Sequence, residues 1–110
     1  MCSEEINPLP INLSGDGRRA TLEVAAEELT LDGLAEFDAA CRKLVETGRS
    51  ELVLEMSRLS RIHSGFIGVL LFINAESSGR GATMYVVACE KIKSTIEQIA
   101  PGLVDIRDKA

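Results

Sequence analysis

Between Leu52 and Leu71 the chain reads Leu-Val-Leu-Glu-Met-Ser-Arg-Leu-Ser-Arg-Ile-His-Ser-Gly-Phe-Ile-Gly-Val-Leu-Leu. The first part is short, apolar and rich in aliphatic residues, the pattern of a strand covered on both faces. A polar loop follows and closes on His63-Ser64-Gly65. A helix then starts in that loop and stays apolar from Phe66 to Ile73. Strand, polar turn and helix N-terminus in this order present free backbone N–H groups over the turn, a place that favours anions. A chain containing this unit is constrained to an α/β arrangement in which the helix packs back on the sheet.

The rest of the chain supplies compatible elements. Leu9 to Leu13 and Arg18 to Val24 flank Ser14-Gly15-Asp16-Gly17 and predict a β-hairpin. In its second strand Ala20, Leu22 and Val24 share one face, and Arg19, Thr21 and Glu23 the other. Leu31 to Thr47 reads as a helix, with Leu34, Phe37, Cys41, Leu44 and Val45 recurring at steps of three and four. Thr30 or Asp32 is placed to cap its start, and Gly48 to stop it. Thr83 to Ala88 predicts a second covered strand. Glu90 to Ile99 predicts an amphipathic helix with Ile92, Ile96 and Ile99 on one stripe, halted at Pro101-Gly102. Leu103 to Ile106 is expected to add a short edge strand. Strands alternating with helices imply crossovers and a mainly parallel sheet, with the opening hairpin as an antiparallel edge. The whole of 1–110 reads as one domain, with the proline-punctuated residues 1–8 expected to fray.

The Leu52–Leu71 string resembles, without a gap, the signature region of the STAS domain, the fold of bacterial anti-sigma factor antagonists. There a strand such as Leu-Val-Val-Asp-Leu-Ser is followed, after a short link, by Asp-Ser-Ser-Gly-Leu-Gly-Val-Leu-Leu. Leu52 to Ser57 fill the strand here, and His63 to Leu71 fill the loop and helix start. The resemblance implies an α/β fold with a mixed, mainly parallel sheet, an N-terminal hairpin and about three to four helices. It also implies a bacterial, cytoplasmic signal-transduction protein acting in transcription regulation. Its partner would be a kinase-type anti-sigma factor or related regulator.

In the family the second serine of this loop accepts phosphate from a partner kinase. Ungapped, that position is Gly65, which has no hydroxyl. His63 replaces the preceding aspartate, and Phe66 the glycine after the serines. A reading shifted by one residue would make Ser64 the acceptor. Members of the family also serve as structural pieces of signalling assemblies or as small subunits of ABC-type lipid transporters, roles that need no phosphoserine.

The helix from Ser64 to Ser78 carries the remaining signal. At 100° per residue Phe66, Val69, Leu70 and Ile73 form one face, widened by Ile67 and Leu71. Phe72, with Gly68 and Ala75, points to the far side. Either the neighbouring helix covers Phe72, or it belongs to an exposed docking patch. His63, Ser64, Gly65, Phe66 and Phe72 are therefore the expected partner-binding residues.

Other functions are disfavoured. A net charge of −5 offers no basic patch for nucleic acid. The three widely spaced cysteines, Cys2, Cys41 and Cys89, lack metal-site spacing and suit reduced thiols of a cytosolic protein. No basic-then-apolar leader is visible, and the uncharged run Ile62 to Ala75 is shorter than the roughly 20 residues that cross a bilayer. His63 beside Ser64 lacks an orienting carboxylate, so a Ser-His catalytic pair is not indicated. The paired acids Glu4-Glu5 and Glu27-Glu28 read as solvated surface. No enzyme, cofactor or metal is expected. A nucleotide or small-ligand sensor ranks last, and a homodimer is compatible with the sequence.

Overall fold

The computed structural model describes residues 11–108; the expected fraying at 1–8, Cys2 and Glu4-Glu5 lie outside them. Strand β1 (Ile11–Asp16) pairs antiparallel with β2 (Arg19–Val24), with Asp16 opposite Arg19. Only two residues, Gly17 and Arg18, therefore make the turn, and Gly17 has φ +60°. A two-residue hairpin loop needs this left-handed backbone at a central position, which glycine adopts without strain. Three of the four residues expected in the turn, Ser14 to Asp16, instead continue the strand.

The chain then forms a two-residue strand β3 (Glu28–Leu29), a 3-10 turn at Leu31–Gly33 and helix α1 (Leu34–Glu46). The helix expected from Leu31 thus starts as a tighter turn. Thr30 takes the position before it but makes no side-chain capping bond, while at the far end of α1 the Thr47 hydroxyl donates to the Leu44 carbonyl at 2.7 Å. Strand β4 (Glu51–Glu55), the two-residue β5 (Arg61–Ile62) and helix α2 (Ser64–Gly79) follow. Strand β6 (Thr83–Val87), helix α3 (Glu90–Ile99) and strand β7 (Ile106–Arg107) complete the described residues. The edge strand expected at 103–106 lies later in the chain, because residues 101–103 are taken by a turn.

The main sheet has the order β1-β2-β4-β6-β7, and every pairing after the hairpin is parallel. This is the mixed, mainly parallel arrangement that the sequence predicts, with three α-helices. Side-chain alternation divides its faces. Leu22, Leu52, Leu54, Met84 and Val86 join one core with Phe37, Cys41 and Leu44 of α1, Phe66, Leu70 and Ile73 of α2, and Ile92 and Ile96 of α3. Residues of opposite parity, Val53, Tyr85 and Val87, form a separate cluster without a helical member. The covered-strand pattern of β4 and β6 thus has two causes, helices on one face and long polar side chains on the other. Arg107 lies 3.9 Å from the centre of the Tyr85 ring, and Arg19 bonds Glu51 at 3.0 Å.

β3 and β5 pair in parallel as a second, two-stranded sheet that the sequence does not announce. It ties the two loops on either side of the α2 start. The Ser60 amide donates to the Glu27 carbonyl at 2.7 Å, and the His63 amide to the Leu29 carbonyl at 3.3 Å. Leu29, Met56 and Leu59 are buried beneath it. The signature loop is therefore fixed by backbone pairing.

Candidate docking site at the start of the second helix

His63 holds an extended backbone just ahead of α2, and its Nδ1 accepts a hydrogen bond from the Gly65 amide at 3.0 Å. The imidazole thereby caps the helix, satisfying one of the amides left free in its first turn. This acceptance requires an Nδ1 without a proton, since both nitrogens of an imidazolium donate. Ser64 is the exposed first residue of the helix. The Nδ1 of His63 faces Gly65 and does not serve the Ser64 hydroxyl as a base.

Gly65 has a structural role that its missing hydroxyl does not reveal. A Cβ there would lie 3.3 Å from His63 Nδ1 and 3.5 Å from Leu34 Cδ2. The helix start, the imidazole and the first turn of α1 close on a position with no side chain.

The two phenylalanines of the expected patch separate. Phe66 is 0% exposed and packs against Phe37, with ring centroids 5.1 Å apart and planes at 59°. Its ring belongs to the core, and the expectation that it forms part of a docking surface does not hold for the folded domain. The helical wheel already placed Phe66 beside Leu70 and Ile73. Phe72 is 44% exposed on the opposite side. From α1, Arg42 sets its guanidinium 4.8 Å from the ring centre while its Nε bonds Asp38 at 3.3 Å.

Between α1 and α2 lies a groove of about 570 Å³ lined by Leu31, Leu34, Ala35, Val69, Phe72 and neighbouring residues. Leu31 is 58% exposed at its rim. Sequence reasoning found Phe72 but not Leu31, which the helical pattern assigned to the start of α1. A second pocket, lined by Leu29, Leu31, Arg61 and His63, lies beside the loop. His63, Leu31 and Phe72 thus belong to neighbouring parts of one surface running from the loop along α2.

The remaining reactive groups are quiet. Burial, with a smaller contribution from Asp38, pushes the Cys41 thiol well above its ordinary pKa, which suppresses thiolate chemistry. Cys89 is unpaired, and its Sγ lies 3.4 Å from the Leu59 carbonyl. Among the described residues no group of three or more His, Cys, Asp or Glu is placed to hold a metal, and no helix is long and apolar enough to cross a membrane.

No curated protein matches the chain significantly. Among solved structures, the unphosphorylated anti-sigma factor antagonist SpoIIAA superposes with a TM-score of 0.69 at 16% identity, covering 91% of this chain and 89% of that one. The Bacillus cell fate determinant SpoIIAA in its phosphorylated form gives 0.66 at 14% identity, with 88% and 90% covered. The protein TM1081 gives 0.69 at 17% identity, with 97% and 86% covered. At these identities the likeness establishes a shared fold. The family model described as "Mlab, STAS domain" matches residues 11–99, most of the chain, and the protein therefore belongs to the STAS domain family.

Proposed function

We propose that this STAS domain is a non-enzymatic interaction module that docks a kinase-type anti-sigma factor or related regulator through the loop and helix at 63–75. The observation that carries this reading is the apolar groove between α1 and α2, with Phe72 44% exposed beside a backbone-fixed loop. Phe66, Ile67, Leu70 and Ile73 already fill the inner face of α2, so Phe72 is not needed to build the core. Among proteins of this fold, SpoIIAA is an anti-sigma factor antagonist that occurs in unphosphorylated and phosphorylated forms. In this chain Gly65 cannot accept phosphate, so binding is constitutive and regulation acts elsewhere.

The test is affinity capture with mass spectrometry of the bait and its partners, followed by titration of the captured regulator. Phe72→Glu should abolish capture with folding intact; unchanged binding removes the reading. Ser64→Asp sets a negative charge on the loop at a helix start that tolerates it. It should weaken binding if the loop touches the partner. Phosphate found on native Ser64 would instead favour the shifted alignment.

The hydroxyl-free Gly65, where a Cβ would come within 3.3 Å of His63 Nδ1, favours a second reading. In it the same groove is a permanent joint in a signalling assembly or an ABC-type lipid transporter. Recovery of transporter or scaffold subunits in place of a kinase-like regulator would select it.

A further inference from the structure

Gly68 lies inside α2, where glycine is a poor helix former, costing stability relative to alanine through its backbone entropy. Its φ is not positive, and it makes no turn. It is exposed, and a Cβ built on it would meet nothing within 4 Å among the described residues. No contact inside the domain therefore requires the missing side chain, in contrast to Gly65. The space over Gly68 belongs to the groove between α1 and α2, with Ala35 in the facing wall and Val69 and Phe72 beside it. Charge lines this groove only from α1, at Asp38 and Arg42. Arg42 bonds Asp38 through Nε, which leaves the donors of its terminal nitrogens at that end.

We propose that this groove receives an amphipathic helix of the docked regulator, which crosses α2 at Gly68. The inference rests on the docking reading above and names the element that docks. The walls select its conformation. Past the first turn of α1, each wall residue lies within a helix whose amides and carbonyls bond along its own axis. An extended segment would find no row of backbone partners there, whereas a helix satisfies its own backbone and offers an apolar face to such a groove. The distance between packed helices is set by the side chains at their crossing, so Gly68 and Ala35 admit a close approach. The incoming apolar ridge covers Val69 and Phe72. Its polar flank turns toward α1, with an acidic residue placed to accept from Arg42.

Titration of the captured regulator against Gly68→Ala and Gly68→Leu tests the proposal. Alanine should raise the urea midpoint, because it is the better helix former and its methyl enters empty space, and yet weaken binding. Leucine should fold normally by circular dichroism and weaken binding by about tenfold or more. Unchanged binding in Gly68→Leu overturns the close crossing, even where Phe72→Glu abolishes binding and upholds docking at this surface. Unchanged binding in both variants removes the docking reading itself. Overlapping synthetic peptides of about 20 residues covering the regulator, long enough for five helical turns, then identify the docked element. The peptide that binds should gain helical circular dichroism on the wild-type protein and lose affinity on Gly68→Leu. A peptide that binds without gaining helix, or the lack of any binding peptide, overturns the proposal. Binding of phosphatidylglycerol vesicles by the wild type and not by Gly68→Leu would assign the groove to lipid and overturn it equally.

Discussion

Phe66 and Phe72 share one helix, one chemistry and a separation of six residues, which sets them about 120° apart around the helix axis. Phe66 is 0% exposed and meets Phe37, whereas Phe72 is 44% exposed beneath a single guanidinium. The inner face of α2 is specified by folding, as Ile67, Leu70 and Ile73 fill the core beside Phe66. The outer face, with Gly68, Phe72 and Ala75 exposed, is not used by the fold in that way. An apolar residue on the first face contributes stability. One on the second is available to a partner. The two positions therefore give opposite responses to substitution, and that opposition can be tested.

The largest effect is expected at the inner position. Phe66→Ala removes a fully buried ring and its contact with Phe37, and should cost about 3–5 kcal/mol of unfolding free energy. Domains of this kind have roughly 5–15 kcal/mol in total. Urea denaturation should show a midpoint moved far down, and loss of partner binding in this variant would reflect unfolding alone. A cost below that of an ordinary surface change would place the ring outside the core and dissolve the comparison.

Phe72→Glu is the mirror experiment. Urea stability should move by no more than about 0.5–1 kcal/mol, as for other surface sites, while partner affinity falls by at least about tenfold. A large stability loss with intact binding would reverse the assignment of the two faces.

The division between these residues was legible in the sequence; the site around them was only partly so. Helical periodicity places Phe66 with Leu70 and Ile73, and Phe72 away from them. Phe66 enters the expected interface only through its neighbourhood to the signature loop. Three features escape the sequence for physical reasons. The β3–β5 pairing is two residues long, too short to leave a period-two pattern. His63 reads in the sequence as a loop residue that caps or is solvated, and only the fixed loop geometry shows that it caps and that the Gly65 amide is its donor. The hairpin region holds four turn-prone residues, and only the cross-strand register shows that Gly17 and Arg18 make the turn.

The capping histidine gives an intermediate effect at the border between the two faces. His63→Ala leaves the Gly65 amide without its side-chain acceptor and should cost about 1 kcal/mol. His63→Asn, which restores a side-chain oxygen to the position, should recover most of that loss. If alanine and asparagine behave alike in urea denaturation, the imidazole bond contributes nothing to stability and the loop is held by β3–β5 alone.

Arg42 should give the smallest effect and locate the boundary most sharply. Its guanidinium is shared between the Phe72 ring and the Asp38 carboxylate one helical turn earlier, and its side chain is 53% exposed. A cation over an exposed ring contributes about 0.5–1 kcal/mol, and an exposed pair at this spacing about 0.3–0.5 kcal/mol. Side-chain ordering offsets part of both. Arg42→Met keeps an apolar stem over the ring but removes the charge, and should lower stability by less than about 1 kcal/mol. The loss should shrink in high salt to the extent that Asp38 contributes, because salt screens the exposed ion pair. Partner affinity then separates two roles for this residue. If the guanidinium only shields Phe72 in the unbound domain, the methionine variant binds at least as tightly as the wild type, since nothing charged must be displaced. A fall in affinity comparable to that of Phe72→Glu would mean that the partner contacts Arg42 itself, and would extend the docking surface from α2 onto α1.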